Sequence, residues 1–341
     1  MYLAFRWYAD KDPIPLSYIR QIPGMRSVVT ALYNVPPSQP WPQADLRRLK
    51  DQIEAHDMRL DVVESIPVHD DIKLGRPNRD ELIAVYKQNL ATVGKLGVKV
   101  VCYNFMPLFD WFRTELALDL PDGSNTMAYR HAELEKMADP WSQDFPAYFP
   151  LEDSPEALKA AYREQTEDDL WDNLAYFLRA VIPAAEEAGV KLAIHPDDPP
   201  WSIFGLPRIV TNEANLARLL GLVESPAHGL TFCTGSLGAN PENDLPGMVR
   251  RFGGRIHFGH CRNLKRTAAH DFHESDHTRA GGDLDLVAVL RAYAEVGYTG
   301  PIRPDHGRMI WGEEGQPGYG LYDRALGAMY LQGAWDSLAG G

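Results

Sequence analysis

Four side chains able to bind a metal stand at the ends of four short β-like runs in the second half of this 341-residue chain. His195 closes KLAIHPDD, Cys233 closes GLTFCTG, His260 sits in RIHFGHCRN and Asp305 in PIRPDHG. Each has a plain structural reading when taken alone, since strand-end histidines are commonly satisfied structural groups and buried cysteines commonly pack. Taken together, two imidazoles, a thiolate and a carboxylate form a mixed N, S and O set. Such a set suits a borderline divalent cation and leaves positions for substrate or water. No contiguous motif of the HExxH kind joins the four, so the set exists only if the fold brings four strand ends to one rim.

The alternation of the chain predicts that fold. β-like runs recur at Ala4–Tyr8, Ser27–Leu32, Arg59–Ser65, Lys99–Phe105, Lys191–Pro196, Gly229–Thr234, Arg255–Cys261 and Pro301–Asp305. Several are dense in Val and Ile, as strands buried on both faces are. Amphipathic stretches lie between them. In 79–97, Leu82, Val85, Leu90, Val93 and Leu96 fall on one stripe, with Gly97 as a C-cap. The stretch 167–189 ends on Gly189, and Pro183 is expected to kink or divide it. The stretches 212–223 and 285–297 behave likewise, with Asn212 and either Asp283 or Asp285 as N-caps. Eight strand–helix units of this kind predict an α/β fold, a (β/α)8 TIM barrel in one domain over 1–341. A doubly wound open sheet is the rival, but neither GxGxxG nor GxxxxGK[ST] follows a strand. Residues 106–157, rich in aromatics and proline, interrupt the rhythm after the fourth strand. They are expected to form a lid-like insertion on the catalytic face, covering the mouth or reaching a neighbouring subunit, with Trp111, Phe112 and aromatics near 144–149 buried.

Strand periodicity sorts the competing residues. His257 lies three positions before His260 and must point to the opposite face, as must Cys261 next door. Arg6 and Trp7 end the first strand, Glu64 the third, and Tyr103 with Asn104 the fourth. Arg262 and Asn263 follow His260, and Arg303 lies on the last strand. Arginines opening on this rim can clamp a carboxylate, so Arg6, Trp7, Arg262 and Asn263 are taken as substrate-binding candidates. Asp197 and Asp198 read equally as supports for the ligands or as a turn. DFHESDH (271–277) is placed at the mouth, with a second metal patch as the other reading.

Composition limits the partners. Lys and Arg number 34 against 47 Asp and Glu, a formal net charge of −13. A surface of that sign repels phosphate backbones and anionic lipid, so neither nucleic acid nor membrane is expected, and an acidic ligand needs a local cation. No run approaches the roughly 18 apolar residues of a membrane span. The opening Met1–Tyr8 is too short for a secretory core, and three scattered cysteines do not make a disulfide framework. A cytoplasmic protein is expected.

Several stretches carry a family likeness. FRWYADKDPIPLSYIRQIPG, VVESIPVHDDIKLG, YNFMPLFDWFRTEL, KLAIHPDDPPWSIFGLPRIV, LTFCTGSLGA, DFHESDH and GPIRPDHGRMIWGE resemble those of D-mannonate dehydratases of the UxuA type. The likeness runs from Phe5 to the last helix. It implies a xylose-isomerase-like barrel that uses Mn2+ or Fe2+ to convert D-mannonate to 2-keto-3-deoxy-D-gluconate in hexuronate breakdown. The family's metal ligands carry over onto His195, Cys233, His260 and Asp305, and its acid/base residues onto His306 and Tyr319 of PGYG. A homo-oligomer is expected. The alternatives are a metal-dependent sugar isomerase or epimerase on the same barrel, and a sugar-acid binding protein that has lost catalysis.

Overall fold

A computed structural model describes residues 1–136, 149–150 and 152–339. Twelve strands are present among them: β1 (Tyr2–Arg6), β2 (Ser27–Thr30), β3 (Arg59–Glu64), β4 (Val100–Tyr103), β5 (Glu115–Asp119), β6 (Asn125–Tyr129), β7 (Lys191–Ile194), β8 (His228–Cys233), β9 (Ile256–His260), β10 (Asn263–Ala268), β11 (Asp271–Ser275) and β12 (Pro301–Arg303). Eight of them close into a barrel in the order β1-β12-β9-β8-β7-β4-β3-β2, with every pairing parallel. These are the eight runs expected from the sequence, and the open-sheet reading falls with the closure. β7, β8, β9 and β12 are consecutive in that ring, so the four candidate ligands share one arc of the rim.

The interior of the barrel explains the spacing of the site. Ala4, Val29, Val62, Val100, Cys102, Ala193 and Phe258 form a small cluster of their own, separate from the main core. Val28, Val63, Val101 and Ile302, of opposite phase, pack in the main core with the helices. Side chains alternate along a strand, so the residue two positions beyond an inward one also points inward. Ala4 is followed in this way by Arg6, Val62 by Glu64, Ala193 by His195 and Phe258 by His260. The interior is thus apolar below and polar at the carboxyl rim, where barrel active sites lie.

The helices follow their expected spans with one difference. Arg79–Lys95, Glu213–Gly221 and Leu286–Glu295 form as patterned, and Asn212 and Asp285 cap the last two through Asn215 N and Ala288 N. Asp283 instead holds Lys265 and the Arg266 amide. Glu167–Ala188 is one 22-residue helix with Pro183 inside it, so the proline does not divide it. A Thr166–Asp169 capping box starts it, and nine buried side chains hold it to the barrel; burial of this face outweighs one lost backbone hydrogen bond. Gly189 ends it at φ 65°, a conformation open to glycine.

The stretch after β4 holds more regular structure than its sequence suggests. β5 and β6 pair with each other, and β6 pairs with β11, giving a four-stranded sheet β10-β11-β6-β5. Helices follow at His131–Lys136 and Pro155–Tyr162. Phe112 is fully buried, Trp111 is half-buried, and Phe149 packs on Tyr33 with ring centroids 5.6 Å apart. Phe145 and Tyr148, also expected to be buried, lie outside the described residues.

Candidate active site

His195, Cys233, His260 and Asp305 each offer one ligand atom, and these four atoms all lie within 4.8 Å of one another. Cys233 pairs with His260 in the register of β8 and β9, and His260 with Arg303 in that of β9 and β12, so the level of the rim is set by the ladder. His195 Nδ1 lies 2.7 Å from the Pro196 carbonyl oxygen, which can only accept. Nδ1 therefore carries the proton and Nε2 presents its lone pair to the cluster. That Nε2 lies 3.1 Å from His260 Nδ1. Two facing imidazole nitrogens need either a proton or a cation between them. The Cys233 sulfur accepts from the amide and hydroxyl of Ser236 and lies 3.6 Å from Asp305 Oδ2. Burial alone would raise the Asp305 carboxyl, but Arg303 at 2.7 Å, helped by Arg262, holds it well below its usual range. The donor set and its geometry fit a divalent cation.

His306 and Tyr319 meet beside this cluster, with His306 Nε2 2.7 Å from the Tyr319 hydroxyl. His306 Nδ1 lies 3.2 Å from Glu274 Oε1 and also contacts Arg262 Nη1. Burial, reinforced by Arg262, lowers the His306 pKa against the pull of Asp305 and Glu274. Glu274 is itself held by Arg113 Nη2 at 2.6 Å and Arg262 Nη1 at 2.7 Å. Burial opposes ionisation of Glu274, yet these two guanidinium groups bring its pKa down to about 2. Asp198 completes the cluster, 2.9 Å from Arg113 and 2.5 Å from Arg262. Arg262 can reach all of these groups because Gly235 has no side chain; a Cβ there would collide with its stem.

The structure separates residues that the sequence leaves together. Arg6 reaches the cavity, bound to Glu64 at 2.9 Å and with its Nε unpartnered. Trp7 does not line it: one position out of phase with Arg6, it turns away and donates to the Ile14 carbonyl. Arg262 is fully buried and spent on Asp198 and Glu274, so it supports the wall and cannot clamp a ligand. Asn263 is also fully buried, bonding the backbone of Thr278 and Leu284. Asp198 supports the site, whereas Asp197 accepts from the Val210 amide and stays in its turn. His257 and Cys261 face away from the cluster, as their phase requires; burial lowers the His257 pKa to about 3. DFHESDH does not line the cavity; its Glu274 is buried behind it, held to Arg113, Arg262 and His306. No third metal-capable group beyond the four-ligand set and Glu64–Cys102–His260 occurs among the described residues, and in the latter Glu64 is bound to Arg6 and Arg303. Arg113 was not visible in sequence, because its partners Asp198 and Glu274 lie 85 and 161 positions away; the role of Glu274 was missed although Arg262 is only 12 positions from it, because nothing local aims the two side chains at each other.

The open cavity at the cluster is lined by His195, Asp305, His306 and Tyr319 together with Glu64, Asn104 and Asp110, and Glu64 lies 3.5 Å from His260 Nε2. A parallel barrel with a four-ligand cluster and a histidine–tyrosine pair at its carboxyl rim has the layout of a barrel enzyme. Residues 1–340 match the family model for D-mannonate dehydratase (UxuA). The chain is 54% identical to mannonate dehydratase 2 of Halalkalibacterium halodurans over 346 residues, covering 99% of this chain and 100% of the relative. The crystal structure of mannonate dehydratase from Streptococcus suis serotype 2 superposes with a TM-score of 0.90 at 46% identity, covering 99% of this chain and 93% of that one. A D-psicose 3-epimerase from Clostridium cellulolyticum H10 shares the barrel at a TM-score of 0.59 and 13% identity, over 99% of this chain and 98% of that one. The chain belongs to the D-mannonate dehydratase (UxuA) family.

Proposed function

We propose that this chain removes water from D-mannonate to give 2-keto-3-deoxy-D-gluconate, using Mn2+ or Fe2+ held by His195, Cys233, His260 and Asp305. The observation that carries the reading is the 2.7 Å contact between His306 Nε2 and the Tyr319 hydroxyl beside the ligand cluster. Dehydration takes the proton from C2 and expels the C3 hydroxyl, which leaves as water with a second proton. The resulting enol takes a proton at C3 and becomes the ketone. One group must accept a proton while another donates, and a hydrogen-bonded histidine and tyrosine can do both. A bound divalent cation supplies Lewis-acid stabilisation of the charge that develops on the carboxylate as the C2–H bond breaks. Glu274 and Arg262 fix the His306 ring, so the pair meets the substrate in one orientation. Arg6 lines the cavity, and its Nε, buried without a hydrogen-bond partner among the described residues, is a cationic donor within the wall that an anionic ligand would meet. The test is incubation of Mn2+- or Fe2+-loaded protein with D-mannonate and detection of the 2-keto-3-deoxy acid with thiobarbiturate. Product in the metal-loaded sample alone is the expected result. Interconversion of neutral keto sugars without any dehydration would favour the epimerase reading.

The reading includes association between copies. Trp311 is 74% exposed and packs on Tyr322, with Leu326 one turn further along the last helix, an apolar patch that a second copy would cover. Light scattering in solution checks this, and a monomer at working concentration refutes it.

A further inference from the structure

Four carboxylates line the cavity, and their pairing is unequal. Glu64 is bound by Arg6 and Arg303, Asp198 by Arg113 and Arg262, and Asp305 by Arg303 and Arg262. Asp110 has no ion pair among the described residues. Its Oδ1 accepts from Asn104 Nδ2 at 2.9 Å, and its other oxygen has no hydrogen-bond partner among the described residues. Asn104 is itself fixed, its side-chain oxygen accepting from the Met106 amide. The aspartate is thus held at one oxygen and open at the other. Arg208, the cation whose field it shares, lies beyond salt-bridge distance.

The position of Asp110 gives this meaning. Strands β7, β8, β9 and β12, which position His195, Cys233, His260 and Asp305, form one arc of the ring, while Asn104 and Asp110 follow β4, which carries none of these four. An unpaired carboxylate repels another carboxylate and accepts strongly from hydroxyl groups. A polyhydroxy acid entering this cavity must therefore turn its carboxylate toward the ligand arc and Arg6, and its hydroxyl-bearing tail toward Asp110.

We propose that Asp110 is a specificity-determining residue that accepts hydrogen bonds from the distal hydroxyls, on C5 and C6, of a six-carbon sugar acid, with Asn104 holding it in place. This rests on the dehydratase reading above and names how that site selects chain length. The test compares wild type, Asp110→Ala and Asp110→Asn on two acids: D-mannonate, and the four-carbon aldonate of the same C2–C3 configuration, which lacks C5 and C6. The short acid is read by turnover or by competitive inhibition. A hydrogen bond to a charged acceptor accounts for about 10- to 100-fold in affinity. We expect Asp110→Ala to raise KM for D-mannonate by about that factor, with kcat changed much less, and to leave the constant for the short acid within about 3-fold. Asp110→Asn, which keeps an oxygen for Asn104, should fall between. Thermal midpoint and bound metal, measured on each variant, show whether the fold and cluster persist. Equal losses on both acids, or a fall in kcat at unchanged KM, overturns the proposal. Absence of D-mannonate dehydration by wild type would instead overturn the functional reading.

Discussion

Glu274→Gln isolates one charge in the middle of the buried cluster. The side chain keeps its size, but Arg113 and Arg262 lose one of the two anions they share. The fold brings the Glu274 pKa from 4.5 down to about 2, against the opposing effect of burial. At about 1.4 kcal/mol per unit, that shift corresponds to roughly 3 kcal/mol of stability at pH 7. The figure agrees with the 3–5 kcal/mol typical of removing one partner from a buried pair. The sign follows from proton uptake. Because the folded-state pKa is depressed, the stabilisation is fully present above about 4.5 and is lost as pH falls toward 2. Urea unfolding of wild type and variant at a series of pH values from 7 downward reads this directly. The gap should be about 3 kcal/mol at neutral pH and narrow below 4.5, as the wild type loses what the variant already lacks. At roughly 2 cal/mol/K per residue of unfolding entropy, the same loss lowers the melting midpoint by about 4 °C. A gap below about 1 kcal/mol at pH 7, or one that stays constant into acid, would refute the reasoning. Turnover should also fall, since the His306 ring loses its charged acceptor while the bound metal stays constant.

His306→Asn and Tyr319→Phe should each keep metal and lose about 10²-fold or more in kcat, checked by measuring metal content and rate on the same samples; metal-replete variants with normal rates would end the acid/base assignment. Cys233→Ser should release metal after dialysis against a chelator under conditions where wild type keeps it, because a neutral hydroxyl replaces the sulfur ligand; elemental analysis decides. His228 and His257 are buried with pKa values lowered to about 4 and about 3, chiefly by burial. Their protons bind the unfolded chain first, so stability should fall as pH drops below about 6.5, by up to about 1.4 kcal/mol per pH unit for each group. His257→Met should flatten that slope, and an unchanged slope would locate the acid sensitivity elsewhere.

The parts of this protein legible in sequence are those governed by local periodicity. The eight barrel strands follow from Val- and Ile-rich runs, and the inward direction of His195 and His260 follows from a period of two. The same rule turns His257 and Cys261 away. The parts that were not legible depend on partners far along the chain. β5 and β6 sit in a stretch that reads as an irregular loop, and β6 is held by β11, more than 140 positions on. Arg262 points inward like His260, two positions earlier, and nothing local shows that Asp198 and Glu274 claim its guanidinium. Trp7 and Asn263 are each one position out of phase with an inward arginine, a distinction that blurs where strands end. Pro183 misleads because the penalty of a helical proline is local, while the burial that offsets it is spread along 22 residues.

The two-residue step that lifts each rim group above its apolar neighbour has a consequence for how such a protein can diverge. Strand phase is all or nothing: one residue inserted early in β9 would present Gly259 where His260 now stands, and one deleted would present Cys261. Asp110, by contrast, follows β4, which carries none of the four, so a change at that position leaves the register of the ligand strands alone. The freedom is local: two and three positions on, Phe112 is fully buried and Arg113 is locked to Asp198 and Glu274. Substrate choice on this reading can drift by point changes at the rim, while an exchange of the whole stretch after β4 would also remove the arginine that holds the wall behind His306.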